Sequence, residues 1–431
     1  MQILWLINLA LPEVSKLMNK TPSPFGGWLI DTSKKLSENE KIKLSIAFAE
    51  TDLNDIKEFN GDEITFYAFP HVRLKDKDLI KSNRYLKTIL KKVQPDLVHI
   101  YGTEYVHSLA MVNVCKELGI NTVINIQGLV SIIAKHYTAN LPINIQRRFT
   151  LRDFLKQNNI LQQRQELERK GKLEIEAIQN TQHVIGRTTW DKACVWHINP
   201  NANYYSCNEN LREAFYLNEW SLEHCERYSI FLSQGSYPIK GLHYVLESLP
   251  LLLEKYPATK LYIAGPDITS SKNLKEEFKK TSYAKYITEL IKKLKIENNV
   301  FFTGLLNEQQ ICERYLNSNV FVCPSSIENS PNSLGEAMIL GLPCVASNVG
   351  GVSDMLTHNQ EGFLYQADAP YMLAYFISKI FEDEEIVKRM TENSRKRALD
   401  THNREKNIER LISIYHEILG VQQEVNEEVF I

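Results

Sequence analysis

The chain has 431 residues, 43% of them hydrophobic and 24% charged, with Lys+Arg 50 against Asp+Glu 52. At roughly 150 residues per domain this length predicts two or three domains, and the near-average composition excludes collagenous, low-complexity and disordered classes. The charge balance leaves no global excess to attract nucleic acid, so any electrostatic partner must be met by a local patch.

From the amino end, the apolar MQILWLINLALPEVSK lacks a basic leader and a small-residue cleavage site, and reads as a buried first strand rather than a signal peptide. Further strands are expected at KLSIAFA, EITFYAF, DLVHIYG, NTVINIQ and HVIGRT, then at YSIFLSQ, KLYIAG, VFFTG, VFVCPS and PCVASN. Short runs that are apolar on both faces, separated by helix-length segments, mean parallel strands in βαβ units. The polar, aromatic stretch at 205–228 has no strand character and is placed as the connection between two such domains. From about residue 371 the pattern is successive helices, ending in RALDTHNREKNIERLISIYHEIL and a fraying tail. No run approaches the ~18 apolar residues that would cross a bilayer.

Segment 146–176 reads as one long helix-compatible stretch with eight basic and five acidic side chains. It is either a solvated face or a site for an anionic lipid surface or a phosphorylated acceptor. The seven cysteines are odd in number and never spaced C-x-x-C, which fits reduced, cytosolic, mostly buried thiols with no zinc site.

Chemistry concentrates in FVCPSSIENSPNSLGEAMILGLPCVASNVGG, residues 321–351. A buried strand ends at Pro324 and a polar loop follows. Pro331 is expected at the first helical position with Ser330 as N-cap, and Gly341 ends the helix. This puts Glu328 on a loop at a strand's carboxyl end and Glu336 one to two turns into the next helix. The free N–H groups at such a helix start suit a diphosphate, and a carboxylate beside them accepts hydroxyls from a sugar or ribose. Upstream, YSIFLSQGSYPIKG runs from strand to loop to helix and places Lys240 where it neutralises a leaving diphosphate.

The element ENSPNSLGE, an E-x7-E pair followed by AMILGLPCVASNVGG, resembles the donor-site signature of glycosyltransferase family 4, the retaining group 1 enzymes of the GT-B fold. The resemblance implies an α/β protein of two Rossmann-like parallel-sheet domains facing across a cleft, with a C-terminal helix packing back on the N-terminal domain. It assigns 1–217, plus a helix at about 396–425, to acceptor binding and 218–395 to donor binding. Glu328 is then the contact to the donor sugar and Glu336 the contact to the ribose, with backbone groups around Asn329, Ser330 and Asn332, and with Ser333 and Leu334, at the sugar and diphosphate. Gly304 and Leu305 lie against the base, and the Gly26–Gly27 pair approaches the phosphates.

Lys240 matches the family's lysine, whereas Gln234 and Gly235 stand where it usually has arginine. Gln127 stands where many members carry a histidine, so no protein general base is evident. Glu104, His107 and Arg187 are candidate acceptor-side residues, with a structural salt bridge the competing reading for Arg187. His99 reads as a core histidine. KDKD at 75–78 resembles a metal-binding D-x-D but sits in a charged helical stretch, and is read as surface. The expected protein is a metal-independent retaining transferase without a cofactor. Its substrate is a nucleotide sugar, with UDP favoured, and its acceptor a glycan or lipid-linked sugar in envelope or capsular polysaccharide synthesis. It is expected to be cytoplasmic, or peripheral at the inner membrane face. A sugar-nucleotide 2-epimerase and a non-catalytic nucleotide-sugar-binding protein are the alternatives.

Overall fold

A computed structural model describes residues 1–22, 26–72, 78–271 and 273–421. The first sheet holds β1 (Gln2–Ile7), β2 (Lys43–Glu50), β3 (Lys57–Asn60), β4 (Thr65–Pro70), β5 (Leu97–Tyr101), β6 (Asn121–Asn125), β7 (His183–Gly186) and β8 (Asn203–Ser206). Its order is β3-β4-β2-β1-β5-β6-β7-β8, parallel except for β3 against β4. The second holds β9 (Ser229–Leu232), β10 (Lys260–Ile263), β11 (Val300–Phe302), β12 (Val320–Cys323), β13 (Cys344–Ser347) and β14 (Phe363–Tyr365), all parallel, in the order β11-β10-β9-β12-β13-β14. These are the two parallel-sheet α/β domains of a GT-B fold.

Strand β1 shows why the sheets form. Ile3, Trp5 and Ile7 enter one apolar cluster while Leu4 and Leu6 enter another on the opposite face. Alternate side chains leave a strand on opposite faces, so a run apolar at every position is stable only with helices covering both.

The eleven expected strands all form, and three more appear. β3 is a mostly exposed antiparallel edge, β14 has three residues, and β8 runs into the 205–228 stretch that reads as strandless. Segment 146–176 is not one helix. Gln157 takes a left-handed φ of 48° and Asn159 caps a new helix, which separates Leu151–Lys156 from Ile160–Gln179.

At the carboxyl end, helix Glu384–Thr401 packs on helix Asn332–Leu340 of the second half, and helix Arg404–Leu419 returns to the first. There the Trp5 indole donates to the Tyr415 hydroxyl at 3.0 Å, and Arg404 pairs with Asp31. The fraying expected of the tail falls on 422–431 and the KDKD reading largely on 75–77, both outside the described residues.

Candidate active site

In the second sheet the order reverses between β9 and β12, and the loops leaving these strands diverge to open a crevice. The β9 loop ends in a tight turn, Pro238–Lys240, followed by Gly241 at φ 69°. A Cβ there would stand 2.0 Å from the Pro324 carbonyl, so only glycine lets this turn lie flush on the end of β12. The Ser326 N–H donates to the Ile239 carbonyl at 2.8 Å and ties the two loops together. On the far side, the Gly351 N–H holds the Glu328 carbonyl at 3.1 Å.

The fixed loops bring the Lys240 ammonium onto the Glu328 carboxylate, which also accepts from the Ser325 hydroxyl at 2.8 Å. Burial alone would lower Lys240, but the adjacent carboxylate outweighs it and holds the ammonium above its usual value. Helix Asn332–Leu340 begins one residue later than expected. Pro331, not Ser330, is the N-cap, and it has no side chain to cap the helix. Leu334 and Gly335 donate to the Pro331 carbonyl, which leaves the first two helical N–H groups, of Asn332 and Ser333, without an intrahelical acceptor. Both residues line a cavity of about 480 Å³ together with Gly26, Gly27, Gln234, Lys240, Leu305 and Glu336.

The expected residues do not all reach this cavity. Leu334 is fully buried in the core, and Asn329 is buried with its amide engaged by Thr188 and Asp191 of the first half, at 2.6 and 2.9 Å. Ser330 turns toward the Met355 sulfur. Gly304 forms the strand-end turn, bonded to Gly265, from which Leu305 projects.

The acceptor-side candidates all have partners within the protein. His107 is 2% exposed, bonded to Asn8 at 2.8 Å, stacked on Tyr105 and lowered to about 3 by burial, so it is a packed neutral ring and does not face the cleft. Glu104 folds back onto the Thr103 N–H. Arg187 forms the structural salt bridge, a buried pair with Glu209 at 2.7 Å, and reaches Asn332 at 3.4 Å. Gln127 donates to that same Glu209 at 2.5 Å and to Asn125, and does not line the cavity.

Sequence reasoning missed Arg212. Its guanidinium grips Glu336 with two hydrogen bonds, 2.7 and 2.8 Å, above the Phe215 ring. Its stem passes so close to Gly27 that a Cβ there would meet Arg212 Cγ at 2.7 Å. Burial pushes the Glu336 carboxyl above its ordinary value, and Arg212 pulls against that without cancelling it. The cavity thus holds two cations, each neutralised by one glutamate of the E-x7-E pair. A polyanion entering beside the open helix end would compete for both cations and free both carboxylates for hydroxyl groups.

Residues 217–397 match the family model described as Glycosyl transferases group 1. The putative glycosyltransferase YtcC of Bacillus subtilis (strain 168) is 29% identical over 185 residues, 42% of this chain and 43% of that protein. The chain spans less than half the length of the curated relatives it matches first. Among solved structures, sucrose-phosphate synthase from Thermosynechococcus elongatus superposes with a TM-score of 0.69 at 16% identity, covering 98% of this chain and 100% of that one. Anabaena HepE in complex with UDP gives 0.66 at 14% identity, covering 97% and 100%. Residues 217–397, the stretch that carries Lys240 and both glutamates, are similar to the group 1 glycosyltransferases.

Proposed function

We propose that the protein is a metal-independent, retaining glycosyltransferase that moves a sugar from a UDP-sugar to a glycan or lipid-linked acceptor in envelope or capsular polysaccharide synthesis. One observation carries the reading: two cations, Lys240 and Arg212, each paired with one glutamate, line one cavity with an open helix N-terminus. The diphosphate displaces the glutamates from Lys240 and Arg212 and takes the free N–H groups of Asn332 and Ser333. Glu336 then accepts the ribose hydroxyls and Glu328 those of the sugar. Arg212 supplies the second positive charge that Gln234, at the usual arginine position, does not. UDP is favoured because HepE, of the same fold, is solved with it.

Charge accumulates on the diphosphate as the glycosidic bond breaks, and a preorganised ammonium and helix end stabilise that charge most where it is greatest. With donor bound, Glu336 is engaged by the ribose hydroxyls and Glu328 by those of the sugar, so neither is assigned as nucleophile or base. The departing phosphate receives the acceptor's proton on the face it leaves.

Titration of UDP, GDP and ADP, followed by incubation with the matching sugar nucleotides and NMR of the product anomer, tests this reading. UDP binding with transfer or slow donor hydrolysis supports it. Epimerised donor, binding without turnover, an inverted product or activity lost in EDTA each overturns a stated part. Arg212→Ala should weaken UDP far more than uridine. An equal loss of both would confine Arg212 to holding Glu336.

A further inference from the structure

Between β6 and β7 the chain leaves the first half and packs on the second. Ile145 and Ile160 enter the second half's core. The Asp153 carboxylate accepts the Ser282 N–H at 2.9 Å, and the Ser282 hydroxyl donates to the Arg148 carbonyl at 2.8 Å. Helix Leu151–Lys156 is capped by Thr150. This is a fixed platform, and its outer face is apolar. Ile143, Phe149, Leu151, Phe154 and Leu155 are 59, 56, 53, 70 and 72% exposed. Single exposed apolar residues are ordinary, but five large ones within thirteen residues form a patch that calls for a partner. Leu151, Phe154 and Leu155 stand at i, i+3 and i+4, on one side of their helix.

The charge around the patch is one-sided. Residues 143–160 carry Arg147, Arg148, Arg152 and Lys156 against the single acid Asp153, which is fully buried. Arg148 pairs with Glu289 and Arg152 with Asp153, whereas the exposed Arg147 and Lys156 have no ion pair among the described residues. The platform also adjoins the donor loop. The Ser326 hydroxyl, two residues before Glu328, donates to the His136 carbonyl at 3.2 Å.

We propose that this face docks on an anionic lipid bilayer. Phe149, Leu151, Phe154 and Leu155 enter the headgroup boundary, and Arg147 and Lys156 meet lipid phosphates. Apolar side chains interleaved with unpaired cations match that surface, and the one exposed acid at its edge, Glu289, is neutralised by Arg148. A symmetric second copy would instead set Arg147 and Lys156 against their own likeness. Docking brings the Glu328 side of the cleft to an acceptor held in the membrane. It rests on the lipid-linked reading of the acceptor, but binding to lipid is measured without any sugar donor.

The test is co-sedimentation of the full chain with phosphatidylcholine vesicles and with vesicles one-third phosphatidylglycerol, with UDP affinity measured in parallel. The wild type should bind the anionic vesicles, and less so as salt rises. Phe154→Glu/Leu155→Glu should lose at least about tenfold in partitioning, and Arg147→Glu/Lys156→Glu a comparable factor on anionic vesicles alone. UDP affinity should be unchanged in both. No wild-type binding to anionic vesicles, or undiminished binding by the first variant, overturns docking while leaving the donor site standing. A concentration-dependent dimer that the first variant abolishes overturns it in favour of a second copy.

Discussion

The two sheets present their carboxyl ends to the same region but use their polar side chains differently. Beyond β9 and β12, Lys240 and Glu336 line a cavity together with Arg212, and the two cations are met by Glu328 and Glu336, partners that a ligand can replace. Beyond β5, β6 and β7, His107, Gln127 and Arg187 are locked into internal bonds that a ligand would have to break. The first arrangement is poised for exchange and the second is scaffolding. A polar residue at a strand's end is therefore not a site until its partner is known.

The largest effect should come from removing the cation at the leaving group. Lys240→Ala should lower kcat by roughly 10²-fold, the loss typical of one preorganised charge-stabilising donor. A change in KM alone would show that Lys240 holds the ground state and nothing more. Next come the two glutamates. Glu336→Ala should weaken UDP by about 10- to 150-fold, the equivalent of ~1.5–3 kcal/mol for hydrogen bonds to a charged group. Glu328→Ala should spare UDP and damage transfer. Calorimetric titration of both variants tests the division, and identical behaviour would erase it.

What could be read from the residues followed the same line. The pair Glu328–Glu336 lies within one strand-loop-helix unit, so local spacing places it. Arg212 pairs with a residue 124 positions away, and no local period marks that contact. The same holds for Asn329, whose partners Thr188 and Asp191 come from the other half. His107 and Gln127 sit at the expected strand ends, but their engagement depends on Asn8 and Glu209, which only folding brings near. β3 and β8 escaped notice because edge strands of four residues, none of them buried, leave no apolar run, and β14 because three residues, though apolar, are too few to mark a strand.

If the first half's polar groups are scaffolding, their titration should register in stability and not in catalysis. His99 and His107 are both lowered to about 3 by burial. The unfolded chain takes up protons near pH 6.5 and the folded chain does not, so stability is present above that pH and is lost as pH falls toward 3. Each ring contributes a slope of about 1.4 kcal/mol per pH unit across that window. His107→Gln should flatten the melting temperature against pH by one such increment and leave kcat unchanged at neutral pH. A shifted pH–rate profile would return His107 to the active site. The smallest effect is expected at the seam between the halves. Gly27→Ala would press a methyl into Arg212 Cγ, and should weaken UDP a few-fold with little change in melting temperature.

The returning helix Arg404–Leu419 also governs how the chain acquires its shape. Tyr415 bonds both Trp5 and His99, 410 and 316 residues away, so the first sheet's core is finished by a helix made long after its strands. At synthesis rates of about 5–20 residues per second, β1 waits roughly 20–80 s for that partner. The nascent first half must meanwhile persist with one apolar face partly uncovered.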